Sequence, residues 1–195
     1  MSLTVRTLSG SELQGALDNL SRLRIAVFAA YPYLYDGTAE YEREYLAEFT
    51  ASPDAVLIAA LDGDRIVGAA TASPLIAQDD TIRAPFERAT IDPATVFYFG
   101  ESVLLPEYRG HGVGHAFFDQ REAAARAWGA KLASFCAVDR PTDHPARPAD
   151  YSPLDAFWHK RGYAPAEGLI GSFSWKEHGE TEEGAKPMQF WMRAL

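Results

Sequence analysis

Cysteine is nearly absent: Cys136 is the only one in 195 residues. A lone cysteine excludes an intramolecular disulfide and any multi-cysteine metal site, so a reducing compartment, the cytoplasm, is the expected home. Basic residues are also few, with 18 Lys and Arg against 27 Asp and Glu and a formal charge of −9. That field opposes phosphate backbones and predicts no nucleic-acid partner. An anionic ligand then has to be held by local N–H groups or a few placed arginines. Long apolar runs are missing too: Ala55–Leu61 and Ile66–Ala72 fall far short of the roughly 18 residues a membrane span requires, so no membrane partner is expected. The opening stretch MSLTVRTLSGSELQ has neither a basic n-region nor an apolar h-region, which predicts no export. Of the five histidines only His111 and His115 are spaced H-x-x-x-H, and they straddle the glycine turn rather than share one helix face; no metal is predicted.

What is present is an ordinary globular composition, 47% hydrophobic and 12% aromatic with 23% charged residues. This is too apolar for a disordered tail or linker, and the length predicts a single domain over 1–195. Leu3 to Leu8 alternates as a half-buried strand, and Ser9 to Ser11 offer N-caps for a helix in which Leu13, Leu17, Leu20, Leu23, Arg24 and Val27 keep a helical period. That helix is expected to break near Tyr31-Pro32. A polar helix over Thr38–Phe49 follows the aromatic loop YPYLYDG. Ala55–Leu61 and Arg65–Thr71 read as strands joined at Asp62-Gly63-Asp64, the strongest hairpin signal in the chain. Ala84–Ala89 reads as a short helix or ordered loop. Thr95–Leu105 reads as a strand stopped by Pro106, Val113–Trp128 as a helix ended by Gly129, and Leu132–Val138 as a strand. The proline-rich stretch Asp139–Ser152 is a loop long enough to suggest a functional role. A short helix over Pro153–Arg161 and strands at Leu169–Trp175 and Met188–Met192 complete the chain. This order, hairpins first and a βαβ unit at the centre, predicts a mixed α/β fold with a sheet flanked by helices.

The informative segment joins the central strand to its helix: Val103-Leu-Leu-Pro-Glu-Tyr-Arg-Gly-His-Gly-Val-Gly114. Glycines at 110, 112 and 114 allow positive φ and close backbone approach, and the first N–H groups of the next helix lack internal acceptors. Such a turn can hold a phosphate, and it can also be a plain strand-to-helix turn. A P-loop is excluded, because no Gly-Lys-Ser/Thr occurs. A dinucleotide fingerprint fits poorly, although Asp139 lies near its acidic position: the third glycine comes one residue early and the 106–108 insertion precedes the turn. Affinity for NAD without affinity for CoA would mark that reading.

Leu104-Leu-Pro-Glu-Tyr-Arg109 and Arg109-Gly-His-Gly-Val-Gly114 together resemble the signature of the GNAT superfamily of acetyltransferases, R/Q-x-x-G-x-G/A preceded by V/L-x-P-x-x-R. Ala156-Phe-Trp-His-Lys-Arg-Gly-Tyr163 resembles that family's second, weaker element, and the order of elements agrees over nearly the whole chain. The resemblance implies a mostly antiparallel mixed sheet with splayed central strands. It also implies transfer of an acetyl group from acetyl-CoA to a primary amine by direct attack. The pyrophosphate would rest on backbone amides of Arg109, Gly110, His111, Gly112, Val113, Gly114 and His115, and Val103, Leu104 and Leu105 would line the pantetheine arm. Glu101, on the same strand where the family often places a carboxylate, becomes the expected base, or alternatively a carboxylate that orients substrate or pairs with an arginine.

One position departs from the family pattern. Trp158 stands where a tyrosine commonly protonates the departing thiolate, and Tyr151, Ser152 and Tyr163 are the nearby substitutes. Cys136 fits a core residue better than a nucleophile. The family's acceptor site would fall on Tyr31, Tyr33, Tyr35 and Asp36 and on Asp139 and Arg140, an aromatic and acidic set suited to a small amine. The same tyrosines could also simply pack the helix junction. The chain is expected to be a monomer or homodimer. A non-catalytic acyl-CoA binding module of the same fold is the alternative, suggested by Trp158.

Overall fold

The computed structural model describes the chain apart from Met1, Ser2, Ser9 and Pro53 and the side chains of Ser11 and Glu48. The expected N-caps at Ser9 to Ser11 therefore lie outside the described residues. Seven strands form one sheet in the order β1-β2-β3-β4-β5-β7-β6. They are β1 Leu3–Leu8, β2 Val56–Asp62, β3 Arg65–Pro74, β4 Val96–Leu104, β5 Leu132–Val138, β6 Ala164–Trp175 and β7 Gly184–Ala194. Every pairing is antiparallel except β4 with β5. Among the described residues five α-helices pack around it: α1 Gly10–Phe28, α2 Ala39–Ala51, α3 Asp80–Arg88, α4 Val113–Trp128 and α5 Asp155–Lys160. None of them is long and apolar enough to cross a membrane.

Alternation along β2 explains the two layers, because successive side chains leave a strand on opposite faces. Leu57 and Ala59 join Leu20, Leu23 and Leu46 beneath α1 and α2, whereas Ile58 and Ala60 join Val113 and Phe117 beneath α4. The β2–β3 hairpin turns at Gly63, whose φ of 61° suits the first position of a tight turn. Thr38 caps α2 by accepting from Tyr41 N–H, so Tyr41's backbone is fixed at the helix start.

Three elements depart from the sequence expectation. The segment read as a short helix or loop over Ala84–Ala89 is α3, and it begins earlier because Asp79 Oδ1 accepts from the N–H groups of Thr81 and Ile82. Strand β6 starts at Ala164, five residues before its expected start, with Pro165 tolerated on an edge strand and Gly168 (φ 72°) where the register shifts. Strand β7 runs from Gly184 through Pro187 to Ala194.

Candidate active site

The parallel contact between β4 and β5 is short. Val96, Phe97 and Tyr98 pair with Leu132, Ala133 and Ser134, and no later residue of either strand is paired with the other. From Phe99 and Phe135 onward, two strand edges face a wedge-shaped gap. The chain leaves β4 at the open end of this wedge, makes a 3-10 turn over Pro106–Tyr108 and enters α4 through the glycine turn. Gly110 and Gly112 have φ of 81° and 80°. A Cβ would meet nothing within 4 Å at either, so backbone conformation rather than crowding requires glycine there.

The first bond into α4 is Ala116 N–H to Gly112 O, at 3.2 Å. The N–H groups of Val113, Gly114 and His115 have no acceptor among the described residues, leaving donors and a positive dipole end beside the wedge. The Val113 side chain packs into the core, so its backbone alone is available. The His115 ring is exposed and lies edge-on to Phe157 of α5, at 4.9 Å. His111 Nδ1 sits 2.9 Å from Arg109 O, and Arg109 is exposed. The Val103 side chain is buried in the core beneath α1 and α2, while Leu104 and Leu105 are half-buried. Along this stretch it is the free backbone edge of β4 that faces the wedge. Gly112→Val is expected to weaken CoA binding at least about tenfold, because a β-branched residue at this φ costs roughly 1–3 kcal/mol and displaces the amides. Calorimetry measures the loss, and unchanged affinity refutes a ligand-binding role for the turn.

Glu101 is aimed by a bulge. Ala70 pairs with Ser102 and Ala72 with Phe99, so β4 carries one more residue than β3 over this stretch. A Cβ on Gly100 would fall 2.5 Å from Thr71 Oγ1, and that hydroxyl accepts from Glu101 N–H at 3.2 Å. Bulges of this kind re-aim a side chain. Here the carboxylate turns beneath α1 and α2, 7% exposed. Its Oε2 lies 2.9 Å from Arg24 Nη1 and accepts from the Tyr45 hydroxyl at 2.8 Å. Its Oε1 is buried and has no hydrogen-bond partner among the described residues. Arg24 Nε in turn donates to Glu42 Oε2 at 2.5 Å, and the Tyr35 hydroxyl donates to Glu42 Oε1 at 2.9 Å. Burial opposes the charge on Arg24, but the carboxylates of Glu101 and Glu42 outweigh it and hold the guanidinium protonated. Burial, reinforced by Glu101, pushes the Tyr45 hydroxyl well above its ordinary value.

Arg24, Glu42 and Tyr45 are the partners that sequence reasoning missed. The available signal was Arg24 itself, a charged residue on an apolar helical stripe, which requires a buried counter-charge.

The residues expected to meet the acceptor separate into distinct places. Tyr35 and Asp36 help line a cavity of about 370 Å³ with Tyr41, Trp175, Glu182 and Glu183. Asp36 also pairs with Lys176 at 2.8 Å. Tyr31 packs edge-on against Tyr151 at 4.7 Å. The Tyr33 ring lies against Phe28 and Trp175. Arg140 is a brace: Nε donates to Pro32 O at 2.8 Å, and Nη2 reaches Tyr33 O and the Glu177 carboxylate. Asp139 is exposed and does not line the cavity.

At the apex of the wedge the Tyr98 hydroxyl lies 3.2 Å from Cys136 Sγ. Burial pushes that thiol up to about 12, which keeps it protonated and unreactive. Trp158 packs on Phe135 and Trp191, each at 5.0 Å. The Tyr163 hydroxyl donates to Glu122 Oε1 at 3.2 Å on the α4 side, so it is not free to protonate a thiolate.

No curated protein matches the sequence. Among solved structures, yncA of Salmonella typhimurium with its cofactor acetyl-CoA aligns at TM-score 0.63 and 11% identity over 99% of this chain and 94% of that one. The ribosomal-protein-alanine N-acetyltransferase of Brucella melitensis aligns at 0.62 and 12% over 98% and 99%. The PaiA N-acetyltransferase of Thermoplasma acidophilum in complex with coenzyme A aligns at 0.59 and 13% over all of both chains, 100% and 100%. At these identities the likeness establishes the fold: a mixed, mostly antiparallel open sheet with helices on both faces. The sequence model of the acetyltransferase (GNAT) family matches residues 22–163, from within α1 to the end of the α5 turn, and the chain therefore belongs to that family.

Proposed function

We propose that the chain is a single-domain acetyltransferase that moves the acetyl group of acetyl-CoA to the primary amine of a small molecule by direct attack. The observation that carries this reading is the buried carboxylate of Glu101, with one oxygen unpartnered among the described residues, beside the wedge between β4 and β5; a structure of the same fold, yncA, carries acetyl-CoA as its cofactor. The amides of Val113, Gly114 and His115 and the positive end of α4 suit a pyrophosphate, which offsets the repulsion of an overall acidic protein. The free edge of β4 supplies N–H donors for the pantetheine and for the thioester oxygen, already oriented when the substrate arrives.

The acceptor reaches Glu101 as an ammonium and gives up one proton to Oε1, directly or through a water. Its nitrogen then forms the new bond to the carbonyl carbon, the C–S bond breaks, and the nitrogen's second proton balances the departing thiolate. Trp158 packs against Phe135 and Trp191 and the Tyr163 hydroxyl is held by Glu122, so neither motif position offers this thiolate an acid; of the substitutes, Tyr151 packs its ring against Tyr31. The thiolate's low basicity makes such an acid dispensable.

The decisive measurement follows thiol release from acetyl-CoA over a panel of alkylamines, diamines, amino acids, alcohols and carboxylates. Release that depends on an amine is expected. Activity confined to neutral or anionic acceptors contradicts the amine reading. The ion pair of Glu101 with Arg24 and the tryptophan at position 158 favour one rival, a non-catalytic acyl-CoA binding module. Tight CoA binding with no release on any acceptor would establish it.

A further inference from the structure

Two buried carboxylates share one guanidinium. Glu42 is fully buried and Glu101 nearly so, and Arg24 bridges them through Nε on one side and Nη1 on the other. The remaining groups facing the cluster are neutral hydroxyls, Tyr35 from the loop after α1 and Tyr45 from α2. Burial and the adjacent carboxylates raise both above the ordinary range. Arg121 of α4 acts on Glu101 only at longer range and makes no ion pair among the described residues. At contact distance the carboxylates thus exceed their cations by one charge, and an uncompensated buried charge is strongly unfavourable. The unmet capacity has an address. Both oxygens of Glu42 and Oε2 of Glu101 are engaged, and Glu101 Oε1 is not.

We propose that Glu42 is a positioning residue: by engaging one side of Arg24 it leaves the buried Glu101 Oε1 unpartnered and under-compensated, so that the site selects its acceptor as a primary alkylammonium whose charge completes the cluster. This deepens the proposed function and rests on the role given there to Glu101. The bound ammonium's N–H bond then breaks, its proton passes to Oε1, and the neutral amine is left facing the thioester. The same deficit of positive charge selects the cation and accepts its proton. An arylamine, neutral at pH 7, or an alcohol brings no charge to the cluster and is disfavoured.

The test titrates the CoA-bound protein with n-butylammonium chloride and with n-butanol by calorimetry. Wild type is expected to bind n-butylammonium. Glu42→Gln should bind it at least about tenfold more weakly, and Glu42→Asp, which keeps the charge, within about threefold of wild type. n-Butanol should not distinguish the three proteins. In steady state, Glu42→Gln should raise the KM of n-butylamine about tenfold while that of acetyl-CoA stays in place, a split that a purely structural role would not produce. Absence of n-butylammonium binding by wild type, or equal binding by Glu42→Gln, overturns the proposal. If Glu42→Gln does not fold, Glu101→Gln titrated with n-butylammonium decides it: loss of binding is expected, and retained affinity overturns it. Full turnover by Glu101→Gln removes the underlying role of Glu101 and this proposal with it. Lost turnover in Glu101→Gln with unchanged n-butylammonium binding in Glu42→Gln removes the role of Glu42 alone.

Discussion

Glu101→Gln is expected to lower kcat about 100-fold or more, the usual range for loss of a general base, with the KM for acetyl-CoA changed by no more than about twofold. The split follows from where the groups sit. The amides suited to the pyrophosphate belong to the first turn of α4, whereas the Glu101 carboxylate lies on the opposite face of the sheet, beneath α1 and α2. The substitution should also be tolerated structurally. Arg24 keeps Glu42 as its counter-charge at 2.5 Å, and a glutamine carbonyl can still accept from Tyr45. The fold therefore stands while the proton acceptor is lost. Steady-state kinetics over a range of amine concentrations, with a thermal melt as control, make the comparison, and unchanged turnover would falsify the assignment of Glu101. Loss of both acetyl-CoA binding and turnover would instead place Glu101 in the scaffold of the wedge.

Local signals made much of this site legible. The glycine turn could be read because positive φ at Gly110 and Gly112 demands a specific residue type, and the β2–β3 hairpin because two strands flank an Asp-Gly pair. The wedge was legible only through the family resemblance, since nothing in Phe99 or Phe135 announces that pairing stops there. The bulge at Gly100 was hidden for another reason: Phe-Gly-Glu-Ser continues a strand pattern, and the contact that needs glycine comes from Thr71 on the neighbouring strand. Arg24 and Glu42 lie on separate helices, and only the packing of α1 on α2 brings them to a common partner. Charge type was visible in each helix while the pairing was not. Similarly, an arginine in a long loop reads as a ligand contact, yet Arg140 closes onto Pro32, Tyr33 and Glu177. Its geometry fixes the aromatic loop against the start of the β6–β7 hairpin, the role of a brace.

The second large effect is on stability. Glu122→Ala is expected to destabilise the fold by about 3 kcal/mol, the lower end of what breaking a buried ion pair costs, and to lower the melting temperature by roughly 6–12 °C for a chain of this size. Glu122 is 4% exposed and gathers three donors, two from the turn after α5 and one from β7. Arg161 Nη2 after α5 reaches it at 3.0 Å, Arg193 Nη1 of β7 at 3.2 Å and the Tyr163 hydroxyl at 3.2 Å. Removing the carboxylate leaves these donors without it, although Arg161 retains Asp119 at 2.7 Å, which is why the lower end applies. A further cation is affected. Arg121 is buried between the rings of Phe99 and Phe118, at 4.6 and 4.8 Å. Burial lowers its pKa to about 10, a fall that Glu122 and other nearby groups partly offset. Loss of Glu122 deepens that fall, so the added destabilisation is fully present below the folded-state value, where Arg121 must carry its charge, and shrinks only as pH rises through that value. Glu122→Gln, which can still accept from Tyr163, should cost less. Melts of both variants from neutral pH up through about 10, the folded-state value of Arg121, test the account, and a loss below about 1 kcal/mol in Glu122→Ala, typical of a surface pair, would show that the arginines find other partners. Because α5 places Phe157 against His115 and within 3.5 Å of a Cβ on Gly114, loosening this junction should also raise the KM for acetyl-CoA, coupling the buried ion network on α4 to the turn at its N-terminus.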